Sequence, residues 1–248
     1  MFRASVTDER LLAPTFSPIS SAAIARPEII LPQDGKFRSR TVVSRSRARG
    51  TGKYPSWKMG RMIQWESPNE LNALRLLDAD PAVRAFHEQP LAIRFALDDA
   101  IHLHYPDLLI EWSDGSRELW EIKPVREARR PENLARTSFL EAALPDAGFA
   151  YRMVVAEDLK REPRLSNALT LLKYGRGPIV DADRERIRQL FVASPIVRWA
   201  AATSGELGPR GRAVICRLAL EGGISFNRDE QLAATTAFTS TQSGEYSI

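Results

Sequence analysis

A single cysteine, Cys216, stands in 248 residues. That excludes a disulfide within the chain and points to a reducing compartment, the cytoplasm by default. No apolar run approaches the roughly 20 residues needed to cross a bilayer, so no membrane association is expected. The opening residues, MFRASVTDERLLAPTF, place acids where a secretory leader is basic and lack its apolar centre, so export is not expected. Acid is also missing from one long stretch: between Lys36 and Arg61 nine Lys and Arg residues occur with no Asp or Glu. The whole chain carries +4, so the remainder carries 4 − 9 = −5. A basic arm beside an acidic body suggests a polyanionic substrate or partner. Tyr54 and Trp57 inside the arm add rings able to stack on a base or a sugar.

A hydrophobic content of 44% with 27% charged residues is ordinary for a soluble globular chain, with one large domain or a medium one carrying appendages. Residues 1–61 read as a leader and basic arm, partly disordered. Ser67-Pro68-Asn69-Glu70 combines a Ser cap, a Pro at the first helical position and a Glu three residues after the cap, which predicts a helix start. Leu71, Leu74 and Leu77 supply its apolar stripe, to about Asp80-Pro81. Strands are expected over 82–86, 91–97 and 149–156, with helices over 131–144 and 165–174. That order predicts an α/β fold, a mixed central sheet flanked by helices, over residues 62–176. After Gly175-Arg176-Gly177-Pro178, helical patterns over 183–192 and 211–220 run into Glu221-Gly222-Gly223. They predict a small helical region over 180–230, either winged-helix-like or a plain helical extension. Residues 231–248 read as a flexible tail.

The densest chemistry lies in YPDLLIEWSDGSRELWEIKP, residues 105–124. Two strand-like runs join at Asp114-Gly115, a strong hairpin signal. Asp107 opens the first run, and Glu121 and Lys123 stand two apart in the second, so they must project from one face. Two carboxylates and a lysine so placed suit Mg²⁺, which takes one or two carboxylates and keeps its remaining waters. A metal-dependent phosphodiesterase needs this arrangement. Glu70, near the start of the preceding helix, is a further acid that can be brought to the sheet. His102 and His104 alternate on one strand face, but Mg²⁺ disfavours imidazole and no third ligand has suitable spacing, so no metal pair is assigned there.

Helix-borne Glu70, Pro106-Asp107 and Glu121-x-Lys123 resemble the PD-(D/E)XK core of restriction-type endonucleases. The run Trp65 to Pro90, WESPNELNALRLLDADPAVRAFHEQP, is similar to the N-terminal domain of TnsA, the endonuclease subunit of heteromeric transposases. The matching features are Glu66-Ser67, Glu70, the leucines from Leu74 to Leu77, Asp80-Pro81-Ala82-Val83 and Glu88-Gln89-Pro90, with the likeness extending over about residues 54–175. The resemblance implies a Mg²⁺-dependent enzyme (Mn²⁺ an expected substitute) that cuts double-stranded DNA at transposon ends, leaving a 5′-phosphate and a 3′-hydroxyl. It also implies an integrase-type transposase subunit and an ATPase regulator as partners. The best-known members carry Gln where this chain has Glu121, which adds a charge to the metal site.

On this reading Asp107 and Glu121 are metal ligands with the Ile122 carbonyl as a third. Lys123 orients the attacking water and steadies charge on the phosphate, and Glu70 holds a second metal or a water bound to it. Arg45, Arg47, Arg49, Lys53, Lys58 and Arg61 are the expected backbone contacts to DNA, acting through counterion release. A restriction or defence nuclease with the same core, and a non-catalytic DNA-binding assembly subunit, are the competing readings.

Overall fold

The computed structural model describes residues 26–32, 39 and 50–241. Strand β1 (Glu28–Ile30) and the hairpin of β2 (Gly52–Ser56) and β3 (Arg61–Trp65) precede helix α1 (Pro68–Ala79). The helix starts where its capping residues predict. Ser67 is the N-cap, accepting from Glu70 N at 3.2 Å, and Glu70 Oε2 in return accepts from Glu66 N at 2.8 Å. Next come β4 (Val83–Glu88), β5 (Ala92–Leu97), β6 (Ala100–His104), β7 (Leu108–Trp112) and β8 (Arg117–Lys123). A one-turn helix α2 (Val125–Ala128), α3 (Pro131–Ala143), β9 (Ala150–Val155) and α4 (Arg164–Gly175) follow.

The expected mixed sheet forms with order β4-β7-β8-β9, antiparallel except for the parallel β8–β9 pair. Its β7–β8 turn is the Asp114-Gly115 one. Asp114 Oδ1 accepts from Ser116 N at 2.8 Å, and Gly115 takes φ +87°, a conformation costly for any residue with a Cβ. Strand alternation divides β8 between two cores. Trp120 and Ile122 join Ala73, Leu74 and Leu77 of α1, while Leu119 joins Leu140 of α3 on the other face. A second sheet, β1-β5-β6, extends the α3-side core through Ile93 and Phe95.

The rest is α5 (Asp181–Ala193), β10 (Ile196–Arg198), α6 (Trp199–Ser204), α7 (Gly211–Glu221), β11 (Ile224–Ser225) and β12 (Ala237–Ser240), with sheet order β10-β12-β11. Its core around Ile215, Cys216 and Phe238 includes Ala168, Leu171 and Leu172 of α4, so α4 ties the two halves together. At the crossing with α7, a Cβ on Gly175 would stand 2.8 Å from Arg217 N, Cys216 C and Leu220 Cδ1. Two of these are backbone atoms that cannot rotate away. Gly175→Ala is therefore expected to cost about 1–3 kcal/mol, the range for overpacking, read as a lowered urea midpoint at unchanged slope.

Three boundaries differ from expectation. Residues 28–30 of the expected leader pair with β5. The β2–β3 hairpin buries Tyr54 and Ile63 in the α1-side core, so residues 52–61 belong to the folded body. The expected tail supplies β12, anchored by Phe238, which is wholly buried. In each case one or two apolar residues in a polar context suffice, because the neighbouring strand or helix completes the apolar face. Among the described residues no helix is long and apolar enough to cross a membrane.

Candidate active site

Strands β7 and β8 separate at the site. They pair as far as Leu108 opposite Trp120, with Asp107 N donating to Trp120 O at 2.9 Å. Pro106 has no N–H to continue the ladder. Strand β8 runs on through Glu121, Ile122 and Lys123, paired there with β9. The edge it leaves open toward β7 is met by a side chain: Ile122 N donates to Asp107 Oδ2 at 2.7 Å. Asp107, Glu121 and Lys123 are thus brought together, as strand parity predicts. They lie on the face covered by α3.

Glu121 is 4% exposed and surrounded by donors. Lys123 Nζ lies 2.6 Å from its Oε1, Arg136 Nη2 of α3 lies 3.8 Å from the same oxygen, and His104 Nε2 lies 3.6 Å from Oε2. His104 Nε2 also hydrogen-bonds Tyr151 Oη at 2.9 Å. Burial, then the charges of Arg136 and Lys123, push His104 down to about 3, so its ring is neutral at physiological pH. Burial, then the charges of Glu121 and Glu70, drive Asp107 well above the ordinary carboxylate range against the Ile122 hydrogen bond. Burial works against the Lys123 ammonium, but Glu121 and Asp107 outweigh it and hold Lys123 above the usual lysine range. The site is a crowded set of carboxylates in contact with one ammonium, with a guanidinium behind it.

Glu70 stands at the margin. Its Oε1 accepts from Ser67 Oγ at 3.0 Å and its Oε2 from Glu66 N, so both oxygens serve the helix start. Its charge still reaches Asp107. Burial, first of all, raises the Glu70 carboxyl above its ordinary value. Gln89 and Glu88 belong to the support of Asp107. Gln89 N donates to Asp107 O at 2.9 Å, and Glu88 is held by Arg61 through two bonds of 2.7 and 3.0 Å.

That pairing corrects the expected DNA contacts. Arg61 is committed to Glu88, and Lys58 Nζ turns inward to the carbonyls of Asp80 and Val83, where burial lowers it to about 8. Tyr54 and Trp57 also face inward: Tyr54 Oη donates to Asp78 Oδ2 and Trp57 Nε1 to Asp78 O, each at 2.7 Å. Asp78, the penultimate residue of α1, recruits Tyr54, Trp57 and the Lys58 backbone N–H, and no local pattern in the arm announces it. Lys53 is exposed, while Arg45, Arg47 and Arg49 lie outside the described residues. Arg136 and Tyr151 were missed altogether, and His104 was weighed only as one of a metal pair and set aside. One signal was readable: α3 buries Asn133 and Thr137 on the same stripe as Leu140, an odd polar start for an apolar face.

Among the described residues no three His, Cys, Asp or Glu side chains form a ready metal cluster. Asp107 and Glu121 are the two carboxylates here that could hold a hard cation. No curated protein matches the chain. Residues 80–155, from the end of α1 through β9, match the family described as TnsA-like endonuclease N terminal. The matched segment contains Asp107, Glu121 and Lys123, so the part of the chain that carries the cluster is the part similar to the TnsA-like endonuclease N-terminal domain.

Proposed function

We propose that this protein is a Mg²⁺-dependent DNA endonuclease, the subunit of a heteromeric transposase that cuts duplex DNA at transposon ends. The observation that carries the reading is the splayed end of β7 and β8, where the Asp107 carboxylate, fixed on Ile122 N, faces Glu121 and Lys123 across the opened edge. Crowded carboxylates with Asp107 driven toward protonation fit a site completed by a divalent cation. Asp107, Glu121 and the Ile122 carbonyl would hold it, with Glu70 in an outer position. When bound, the ion would generate the nucleophile from water and neutralise charge on the leaving oxygen.

The chain's own residues do the positioning. Lys123, held protonated, is suited to donating to a phosphate oxygen and to orienting the water, rather than to removing a proton. It must leave Glu121 Oε1 to do so, and a cation taken up by Glu121 favours that exchange. The central sheet with α1 and α3 on opposite faces supports a restriction-endonuclease-like core. The order α5-β10-α6-α7-β11-β12 with its three-stranded sheet supports a winged-helix module after it. An integrase-type subunit and an ATPase are the partners this reading requires.

Lys123→Met tests it. In a supercoiled-plasmid assay with Mg²⁺ and the partner subunits, cleavage is expected to fall by about 10²–10³-fold, the cost of removing one group that stabilises transition-state charge. Duplex binding without metal stays close to wild type. Cleavage by Lys123→Met at the wild-type rate would refute the assignment.

A further inference from the structure

Directly after Lys123-Pro124 the chain reads VREARRPENLAR, residues 125–136, with four arginines against two glutamates. Arg126, Arg129 and Arg130 are exposed. Arg126 and Arg129 have no acid within ion-pair distance among the described residues, and Arg130 meets only Glu132, 3.9 Å away with both groups in solvent. Such a pair is worth little. Most other arginines of the folded body have settled partners, as in Arg94 with Glu28, Arg184 with Glu221 and Arg164 with Asp229. This segment leaves its guanidinium groups unspent.

It is also fastened to the site. Asn133, buried, donates from Nδ2 to Glu127 O of α2 at 2.7 Å and accepts at Oδ1 from Arg136 Nη2 at 2.8 Å. Arg136 in turn faces Glu121, and its Nε is buried without a partner. A continuous link therefore runs from the exposed arginines to the carboxylate beside Lys123. Guanidinium suits phosphate because its fork can bind two oxygens at once and it is weakly hydrated.

We infer that residues 126–136 form the surface that holds the duplex backbone beside the scissile phosphate. Arg126, Arg129 and Arg130 meet flanking phosphates, and Arg136, behind Lys123, is the segment's own cation nearest the reacting one. The inference rests on the proposed nuclease reading, and it moves the main contact within the folded body from Lys58 and Arg61 to this segment.

The test is binding, kept apart from cleavage. Fluorescence anisotropy with a random-sequence duplex in EDTA, across a salt series, is run on the full chain as wild type, as R126Q/R129Q/R130Q, as R126K/R129K/R130K and as R188Q on α5. Each phosphate contact contributes about 0.9 to the slope of log affinity against log salt, so the glutamine triple is expected to lose about 2.7 from the slope. The lysine triple should keep most of the slope and R188Q all of it. An unchanged slope in the glutamine triple, or no duplex binding by wild type at low salt, overturns the inference. A wild type that binds with the expected slope but never cleaves, with metal and partners present, would instead count against the nuclease reading alone.

Discussion

Asp107→Asn is expected to abolish cleavage, by about 10³-fold or more, and at the same time to raise the melting temperature of the metal-free protein at neutral pH. The two effects share one cause. Asp107 is half-buried beside Glu121 and within reach of Glu70, and its carboxyl is driven well above its ordinary value. A carboxyl whose native pKa is raised binds its proton more tightly in the folded state. Its contribution is therefore most favourable in acid and is lost as pH rises from the unfolded value, about 3.9, toward the raised native one. Asparagine carries no charge to lose, yet its amide oxygen can still accept from Ile122 N, the bond now made at 2.7 Å. The gain in melting temperature should shrink as pH is lowered through that window. Adding Mg²⁺ should reverse the ranking, since an ion that binds only the native wild type stabilises it by mass action. Calorimetric scans of both proteins, with EDTA and with Mg²⁺, at several pH values, check all of this. A metal-free variant less stable than wild type at neutral pH would show that carboxylate crowding is not what Asp107 contributes.

The same cluster shows what could be read from the chain. Glu121 and Lys123 were placed on one face because strand alternation is a local two-residue repeat, unbroken between them in β8. The α1 start was legible because Ser67, Pro68 and Glu70 act on backbone groups one turn away. What stayed hidden depends on distant partners. Lys58 and Arg61 look like a DNA-binding arm until Asp80, Val83 and Glu88 come within reach through the fold. His104 and Tyr151 are 47 residues apart in sequence, and nothing local in either reports that they meet. The turn into β6 was an avoidable omission. Asp98 and Asp99, with φ of +50° and +58°, form a two-residue turn between β5 and β6, and Asp tolerates the left-handed region that such turns require.

Asp78→Ala should be the most destabilising single change in the α1 region, at about 3–5 kcal/mol. Asp78 is 0% exposed. Its carboxylate accepts from Ser56 Oγ at 2.6 Å, Tyr54 Oη at 2.7 Å, Lys58 N at 3.2 Å and Trp57 N at 3.3 Å. Truncation strands four donors at once, two of them backbone N–H groups that no rotamer change can satisfy, and it leaves a void below the hairpin. At about 2–4 °C per kcal/mol for a chain of this size, the melting temperature should fall by on the order of 10 °C. Tyr54→Phe, which removes one donor and keeps the ring in the core, should cost only about 1 kcal/mol. A loss below about 1 kcal/mol for Asp78→Ala would mean that water or a repacked hairpin replaces the carboxylate. The consequence for function follows from the connections. Asp78 fixes the β2–β3 hairpin, the hairpin carries Arg61, Arg61 holds Glu88, and the next residue, Gln89, donates to Asp107 O. Loosening the hairpin should therefore reach the strand that sets Asp107, and hydrogen exchange in Asp78→Ala should rise at Gln89 and Asp107 as well as in β2 and β3.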